Sequence, residues 1–222
     1  EVDATIALTP VDDPARYGLV RLHADNRVAA FVEKPTPDQL LPNEPYLINA
    51  GTYLLEHAVV DRIPAGRPGS IERDIFPSLA VEGRLAGFPS DCYWRDIGTP
   101  ESYLQAHLDV LGGVVRTDSP TGEAYVATGC SLAADARVSS ATTVGKGTVV
   151  ASGAVIERSV IGSGVAIGEN VRIRGAIIGC DVTVGADAQL GAGVVVGDNA
   201  VIASGANLVD ESVPTGAPRP ST

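Results

Sequence analysis

The apolar positions of this 222-residue chain follow two different rules, and the change comes near residue 112. Before it the pattern is mixed α/β. Ala4–Val11 (ATIALTPV) is apolar with β-branched residues, ends at a proline and acids, and predicts a strand. Leu19–Leu22 and Val28–Glu33 flank HADN, a turn signal, and predict a hairpin. Ala50–Leu55 predicts another strand. Ile71, Ile75, Leu79 and Ala80 fall at helical spacing behind a possible cap at Ser70, predicting a helix over 71–80. The clearest helix is Thr99–Leu111. Thr99 can cap it, Pro100 suits its first position, Glu101 suits the dipole, and Leu104, Leu108 and Leu111 share a face before Gly112-Gly113 stops it.

After residue 131 the period becomes six. Aliphatics recur at Leu132, Val138, Val144, Val150 and Ile156, then at Ile161, Ile167 and Ile173, then at Ile178, Val184, Leu190, Val196, Ile202 and Leu208. Most are followed four residues later by a small or β-branched residue, such as Ala136, Thr148 or Val165, and often directly by Gly or Ala. A period of six belongs to neither an amphipathic helix nor an alternating strand. It belongs to a solenoid of short flat strands, one hexad per face and three faces per coil, with the aliphatic pointing inward and the small residue letting the chain turn. The fourteen positions make about 4.7 coils, or roughly 22 Å of stack. The step shortens to five at Ile156→Ile161 and at Ile173→Ile178, about one coil apart, which predicts that both shorten the same corner.

These patterns divide the chain into residues 1–111, a linker at 112–131, repeats at 132–213 and a Pro/Ser/Thr-rich tail at 214–222 expected to be disordered. Net charge is −11, without a basic cluster in either part, which argues against nucleic acid or an anionic membrane surface as partner. No run of 18 apolar residues is present, and no secretory signal is visible, so a cytoplasmic protein is expected. The chain begins at Glu1 and contains no Met, which suggests a processed or truncated product. Cys92, Cys130 and Cys180 lack metal or disulfide spacing and read as buried structural thiols in a reducing compartment.

The repeat carries no histidine. His23, His57 and His107 all precede it, so the general base of a hexapeptide acyltransferase is missing and a structural or oligomerising role is expected for the repeat. His57 and His107 fall in helical stretches, and His23 lies beside the hairpin turn. Candidate chemistry lies in the first half. In AAFVEKPT, Glu33 and Lys34 end a strand and Pro35 turns the chain outward; a lone ammonium can contact a phosphate as a point charge. In YLINAGTYLL, Asn49 precedes a strand and offers a donor and an acceptor to sugar hydroxyls, while Gly51 permits close approach. In YWRDIGTPESY, Asp96 stands where an apolar strand is expected to end, the place where open α/β sheets hold ligands, and a hard carboxylate there suits Mg²⁺. Ordinary solvated strand ends, a turn and a helix start account for the same three stretches one at a time.

In order, ARYGLV, FVEKPT, INAGTYLL, SIERDIFPSLA and YWRDIGTPESYLQAHLDVL, followed by hexads, resemble the later half of a sugar-1-phosphate nucleotidyltransferase, most like the mannose-1-phosphate guanylyltransferases. The resemblance covers residues 4–111 and implies the later half of a Rossmann-like α/β domain, followed by an all-β left-handed parallel β-helix. It implies that Gly18 offers its backbone to a sugar hydroxyl, that Glu33 accepts from sugar hydroxyls, that Lys34 contacts the sugar phosphate, and that Asn49 and Gly51 line the sugar pocket. It implies that Asp96 is one of two Mg²⁺-binding aspartates; Arg73 is equally read as an exposed helix residue. The family's Gly-rich nucleotide loop and its first metal aspartate are not in these residues, so the chain is expected to hold the sugar side of a site and to be inactive alone. The implied substrates are small molecules, a sugar 1-phosphate and an NTP. Mannose 1-phosphate with GTP leads, glucose 1-phosphate with UTP or dTTP follows, and a non-catalytic regulatory relative is a further alternative. A homo-oligomer formed through the β-helix is the expected assembly.

Overall fold

The computed structural model describes residues 2–40, 46–139 and 141–216. It divides into two compact units, Glu1–Trp94 and Arg95–Thr222. No helix among the described residues is long and apolar enough to cross a membrane.

The first unit is one mixed sheet with short helices. Its strands are β1 (Ala4–Val11), β2 (Gly18–Leu22), β3 (Val28–Glu33), β4 (Tyr46–Leu55) and β5 (Leu85–Pro89), in the order β3-β2-β4-β1-β5. Only β1 and β5 pair in parallel. The hairpin of β2 and β3 forms as predicted, with Asn26 at φ +65° in its turn, a conformation that Asn tolerates better than most residues. Three short helices follow β4: α1 (His57–Val60), α2 (Ile71–Asp74) and α3 (Phe76–Val81). The expected helix over 71–80 is thus two. Pro77 cannot donate to an α-helical ladder, and Ile75 at φ −115° marks the break. Ser70 caps α2 through the Arg73 amide, 3.3 Å away. Ile6, Leu8, Phe76, Leu79 and Leu85 are wholly buried and form the core between sheet and helices.

Strand β4 is longer than the pattern predicts. Asn49-Ala50-Gly51 does not precede a strand but lies inside one. Opposite β1 the register runs Ile6↔Tyr53 and then Leu8↔Asn49, so Ala50, Gly51 and Thr52 face the single residue Ala7. Gly51 takes φ +77° in this bulge, where a Cβ would be strained.

The second unit opens with α4 (Pro100–Leu111). Thr99 Oγ1 accepts from the Ser102 amide at 3.2 Å, and Pro100 stands at the first turn, as the capping pattern requires. A parallel β-solenoid follows. Its first face stacks Ser131–Leu132, Val149–Val150, Ala166–Ile167, Thr183–Val184 and Val201–Ile202. The second stacks Arg137–Ser139, Val155–Glu157, Arg172–Arg174, Gln189–Leu190 and Asn207–Leu208. The third stacks Ala124–Val126, Thr142–Val144, Val160–Ile161, Ile177–Ile178, Val195–Val196 and Ser212–Val213. The first hexad strand, Ala124–Val126, lies within the stretch read as a linker. Residues 217–222 of the expected disordered tail lie outside the described residues.

The repeated aliphatics point inward, and Val144, Ile156, Ile173, Ile178, Val184 and Leu190 are at most 1% exposed. The small residues four positions later are core as well: Thr148, Ala154, Val165, Val182 and Ala188 are fully buried. They do more than permit a turn, since they fill the corners of the triangular core. Buried hydroxyls there are satisfied, with Thr148 Oγ1 donating to the Gly162 carbonyl at 3.0 Å and accepting from the Val165 amide at 3.2 Å. Both five-residue steps fall at the corner from the second face to the third, as expected. The glycine directly after an inward aliphatic is enforced by stacking, because a Cβ on Gly145 would stand 2.5 Å from the Gly162 backbone. All three cysteines are free, but the expectation of buried thiols fails for two of them. Cys92 and Cys180 are exposed, Cys92 in irregular chain and Cys180 at a solenoid corner, where neither faces a core.

Candidate functional site

Pairing in the first unit draws four of the candidate residues into one patch. Gly18 opposes Glu33 across β2 and β3. One step along, Leu19 opposes Ile48 across β2 and β4, which sets Gly18 beside Asn49. Glu33, Gly18 and Asn49 therefore form a row across three adjacent strands, and opposed residues in antiparallel strands share a face. Gly18 in the middle is buried. A Cβ there would meet Phe31 Cζ at 2.8 Å and Glu33 Oε2 at 3.1 Å, so only glycine leaves the floor of the patch clear. Lys34 follows Glu33 with φ +52°, its amide donating to the Tyr17 carbonyl at 2.9 Å. That local reversal turns its ammonium out of the strand. Lys34 is exposed and makes no ion pair among the described residues, so its charge is available to an anion.

Asn49 is held rather than loose. Its Oδ1 accepts from the Gly51 amide at 2.9 Å, and its Nδ2 donates to Tyr53 Oη at 2.8 Å. Tyr53 Oη in turn donates to Glu72 Oε1 at 3.0 Å, and Ser70 Oγ donates to Glu72 Oε2 at 2.7 Å. The bulge, β4 and the start of α2 thus share one directional hydrogen-bond chain. Burial raises the Tyr53 phenol above its ordinary 10.0; Asn49 opposes the rise, and the carboxylates of Glu72 and Glu33 reinforce it. Burial alone would raise Glu72, yet its carboxyl is held below the usual range by bonds from Ser70, its own backbone and Tyr53, and by the Arg73 charge. Phe76 supports the Tyr53 ring edge-on at 5.1 Å and touches Phe31 at 5.6 Å.

Tyr53 and Glu72 were not singled out by sequence reasoning, although both stand inside quoted stretches. The available signal was a phenol two residues beyond Gly51 and a carboxylate in SIERD. Arg73 of the same stretch is an exposed helix residue. Trp94 closes the patch on the other side. Its Nε1 donates to the Ala50 carbonyl at 3.0 Å, and its ring meets Tyr17 edge-on at 5.6 Å. The stretches ARYG, VEK, NAGTY, SIE and YW therefore converge.

Asp96 belongs to the second unit. The premise that it ends a strand is corrected by the structure: β5 stops at Pro89, and residues 92–98 have no regular secondary structure. Ser90 still donates its amide to the Leu8 carbonyl, but there the pairing stops, and Trp94 is held by its side chain instead of by a ladder. Asp96 Oδ1 accepts from the Gly98 amide at 2.9 Å in a turn that leads into α4. Its neighbour Arg95 pairs with Asp109 on α4, Nη2 to Oδ2 at 2.8 Å. Asp96 is chemically a hard oxygen donor, but no three His, Cys, Asp or Glu residues converge as metal ligands among the described residues. One carboxylate is not a divalent-cation centre, and no reaction step is routed through one here.

Comparison with known proteins matches two family models to successive parts of the chain. The nucleotidyl transferase family model matches residues 1–112. The model of the EIF2B subunit epsilon LbH domain matches residues 121–215. A mannose-1-phosphate guanylyltransferase of Mycobacterium tuberculosis is 37% identical over 153 residues, covering 65% of this chain and 40% of the relative. A probable mannose-1-phosphate guanylyltransferase 2 of Arabidopsis thaliana is 39% identical over 149 residues, covering 65% and 37%. A mannose-1-phosphate guanyltransferase of Aspergillus oryzae is 36% identical over 131 residues, covering 56% and 34%. The chain therefore spans about two-fifths or less of the length of these relatives.

Proposed function

From the premise that this chain belongs to the nucleotidyl transferase family, we propose that the whole protein joins a sugar 1-phosphate to an NTP, most specifically mannose 1-phosphate to GTP, and releases pyrophosphate. A phosphate oxygen of the sugar 1-phosphate forms a bond to the α-phosphorus of the NTP, and the bond from that phosphorus to the pyrophosphate oxygen breaks. No side-chain nucleophile is needed, so the work is positioning and charge neutralisation.

The patch of the first unit supplies the sugar side. Glu33 accepts from sugar hydroxyls. The Gly18 floor lets a sugar lie against the sheet, and Asn49, held by Gly51 and Tyr53, presents what remains of its amide to a hydroxyl. Lys34 neutralises the sugar phosphate. Mg²⁺ is the cofactor in this reading, giving further neutralisation of phosphate charge, with Asp96 offering one ligand oxygen. The nucleotide-binding Gly-rich loop would come from outside these residues. A homo-oligomer through the solenoid is the proposed assembly.

The observation that carries this reading is the row of Glu33, Gly18 and Asn49 beside a lysine whose ammonium is free to meet a phosphate. The choice of mannose and guanine is supported by the names of the similar proteins, which are mannose-1-phosphate guanylyltransferases. The test is an assay of the full-length protein with four NTPs against mannose, glucose and galactose 1-phosphates, following pyrophosphate release. Fastest turnover with GTP and mannose 1-phosphate is expected. Preference for UTP or dTTP with glucose 1-phosphate would replace the substrates and keep the class, and absence of turnover with every pair would overturn the class.

A further inference from the structure

The three faces of the solenoid differ in charge. The outward positions of the first face are Ser131, Val149, Ala166, Thr183 and Val201, and those of the third run from Tyr125 through Thr143, Val160, Ile177 and Val195 to Ser212; none is charged. The second face instead presents Arg137, Arg172 and Arg174 around the outward Glu157; Arg158 stands at the corner toward the third face, where it lines a cavity with Glu101 of α4, and all four arginines are exposed. Lys146 is the only other described cation of the repeat. From residue 175 to residue 216 there is no lysine or arginine, only five acids. Three guanidinium groups are therefore gathered on the first three coils of one face, with a fourth at its corner, in a chain of net charge −11.

Nearby carboxylates do not neutralise this cluster. Glu157 reaches Arg174 only at 3.9 Å, and the Arg174 side chain stays 76% exposed. Asp135 is engaged by Ser152 Oγ at 2.8 Å and the Gly153 amide at 3.1 Å. Glu169, at the preceding corner, makes no ion pair among the described residues, and neither do Arg137, Arg158 and Arg172. A guanidinium carries five donors in a planar fork that matches a carboxylate.

We propose that this face is a docking surface for a carboxylate-rich segment of a partner protein, bound in extended conformation. The face is a flat sheet and not a pocket. Small molecules prefer concave sites, so a macromolecular occupant fits better. Spacing supplies the geometry. Arg172 and Arg174 project from the same side of one strand, about 7 Å apart, which is the spacing of alternate side chains in an extended peptide. Arg137 lies two strands away, about 10 Å, in register with Arg172 through Val155. An acid-x-acid segment running along the strand would meet Arg172 and Arg174 in pairs, with Arg137 and Arg158 steering its flanks.

The test is fluorescence anisotropy of a labelled (Glu-Ser)₆ peptide titrated with the 222-residue protein in 20 mM and 300 mM salt. The comparison set is Arg172→Glu/Arg174→Glu and, as a control on another corner, Lys146→Glu, with circular dichroism melts verifying that each variant keeps its fold. Binding at low salt, weakened at least tenfold by salt and by the double reversal but within twofold of wild type in K146E, is expected. Three results would each overturn the proposal: no measurable binding by the wild-type protein, equal loss in K146E, or displacement of the labelled peptide by a 12-base-pair DNA duplex at lower concentration than by unlabelled peptide. Should the double variant unfold, the single Arg137→Ser and Arg172→Ser variants replace it, each expected to weaken binding about threefold.

Discussion

The sheet unit and the solenoid use glycine for opposite ends, and the contrast explains how each tolerates change. In the solenoid, glycines such as Gly145 are dictated by the coil above, and the same reason recurs at Gly162 and Gly179. Each hexad repeats a task that its neighbours also perform. In the sheet unit, Gly18 and Gly51 have singular tasks: one clears the floor between Glu33 and Asn49, the other carries the bulge that aims Asn49. Periodic architecture distributes a requirement over many interchangeable positions. A site concentrates it in a few positions that nothing else can replace.

Five substitutions sharpen this contrast. The largest effect is expected for Ile173→Ala, at the centre of the stack and 1% exposed. It should cost about 3–4 kcal/mol by lost burial and an unfilled cavity. Urea unfolding followed by circular dichroism would measure it, and a cost below about 1 kcal/mol would mean that the coils slide to fill the gap. Next, Lys34→Ala in the full-length protein should lower NDP-sugar formation ~10²-fold, or about 3 kcal/mol of transition-state stabilisation, with the melting temperature unchanged. Activity within threefold of wild type would remove the lysine from the site. Asp96→Ala should lower activity comparably and leave the melting temperature within about a degree.

Tyr53→Phe comes fourth. It breaks the link between Asn49 and Glu72 without disturbing the Phe76 contact, and a net hydrogen bond of about 1 kcal/mol predicts a KM for the sugar phosphate raised roughly fivefold, with kcat little changed. An equal fall in kcat with constant KM would show instead that the phenol acts in the transition state. The smallest effect concerns pH. Glu72 has a carboxyl pKa below its ordinary 4.5, so its ionised form is the favoured one in the folded protein. Its contribution is complete above about pH 4.5 and is lost as pH falls through the lowered folded value. Glu72→Gln should therefore lower stability slightly at neutral pH and make the acid limb of the stability curve shallower, the two proteins converging as pH falls below the lowered folded value. Because the group is largely in contact with solvent, the change is expected to be small.

Much of the architecture is legible in the sequence. The hexads, their three faces, both shortened corners, the β2–β3 hairpin and the Thr99 cap of α4 follow from patterns within a few residues of each other. The errors have equally physical causes. The 71–80 helix broke because Pro77 overrides spacing. The NAG stretch reads as the approach to a strand because a bulge inside a strand has the same composition as the turn that precedes one. The residues before Asp96 were assigned to a strand on apolar content, yet beyond Ser90 there is no ladder partner and Trp94 is anchored by its indole. The cysteines were placed inside on average behaviour, and the hexad register put Cys180 at a corner.

What the chain determines on its own is whatever repeats or ends locally: a sixfold period places an aliphatic inside each coil wherever the coil lies, and a cap needs only its own first turn. The candidate site is decided elsewhere. Glu33, Gly18 and Asn49 share a row only because β2 lies between β3 and β4 in a particular register, and a slip of one residue would turn Glu33 and Asn49 to opposite faces. Tyr53 meets Glu72 across nineteen positions because α2 packs on that face. Strand register and helix packing are settled by the burial of Leu8, Phe76 and Leu79 together, a many-body balance that no short stretch of sequence contains.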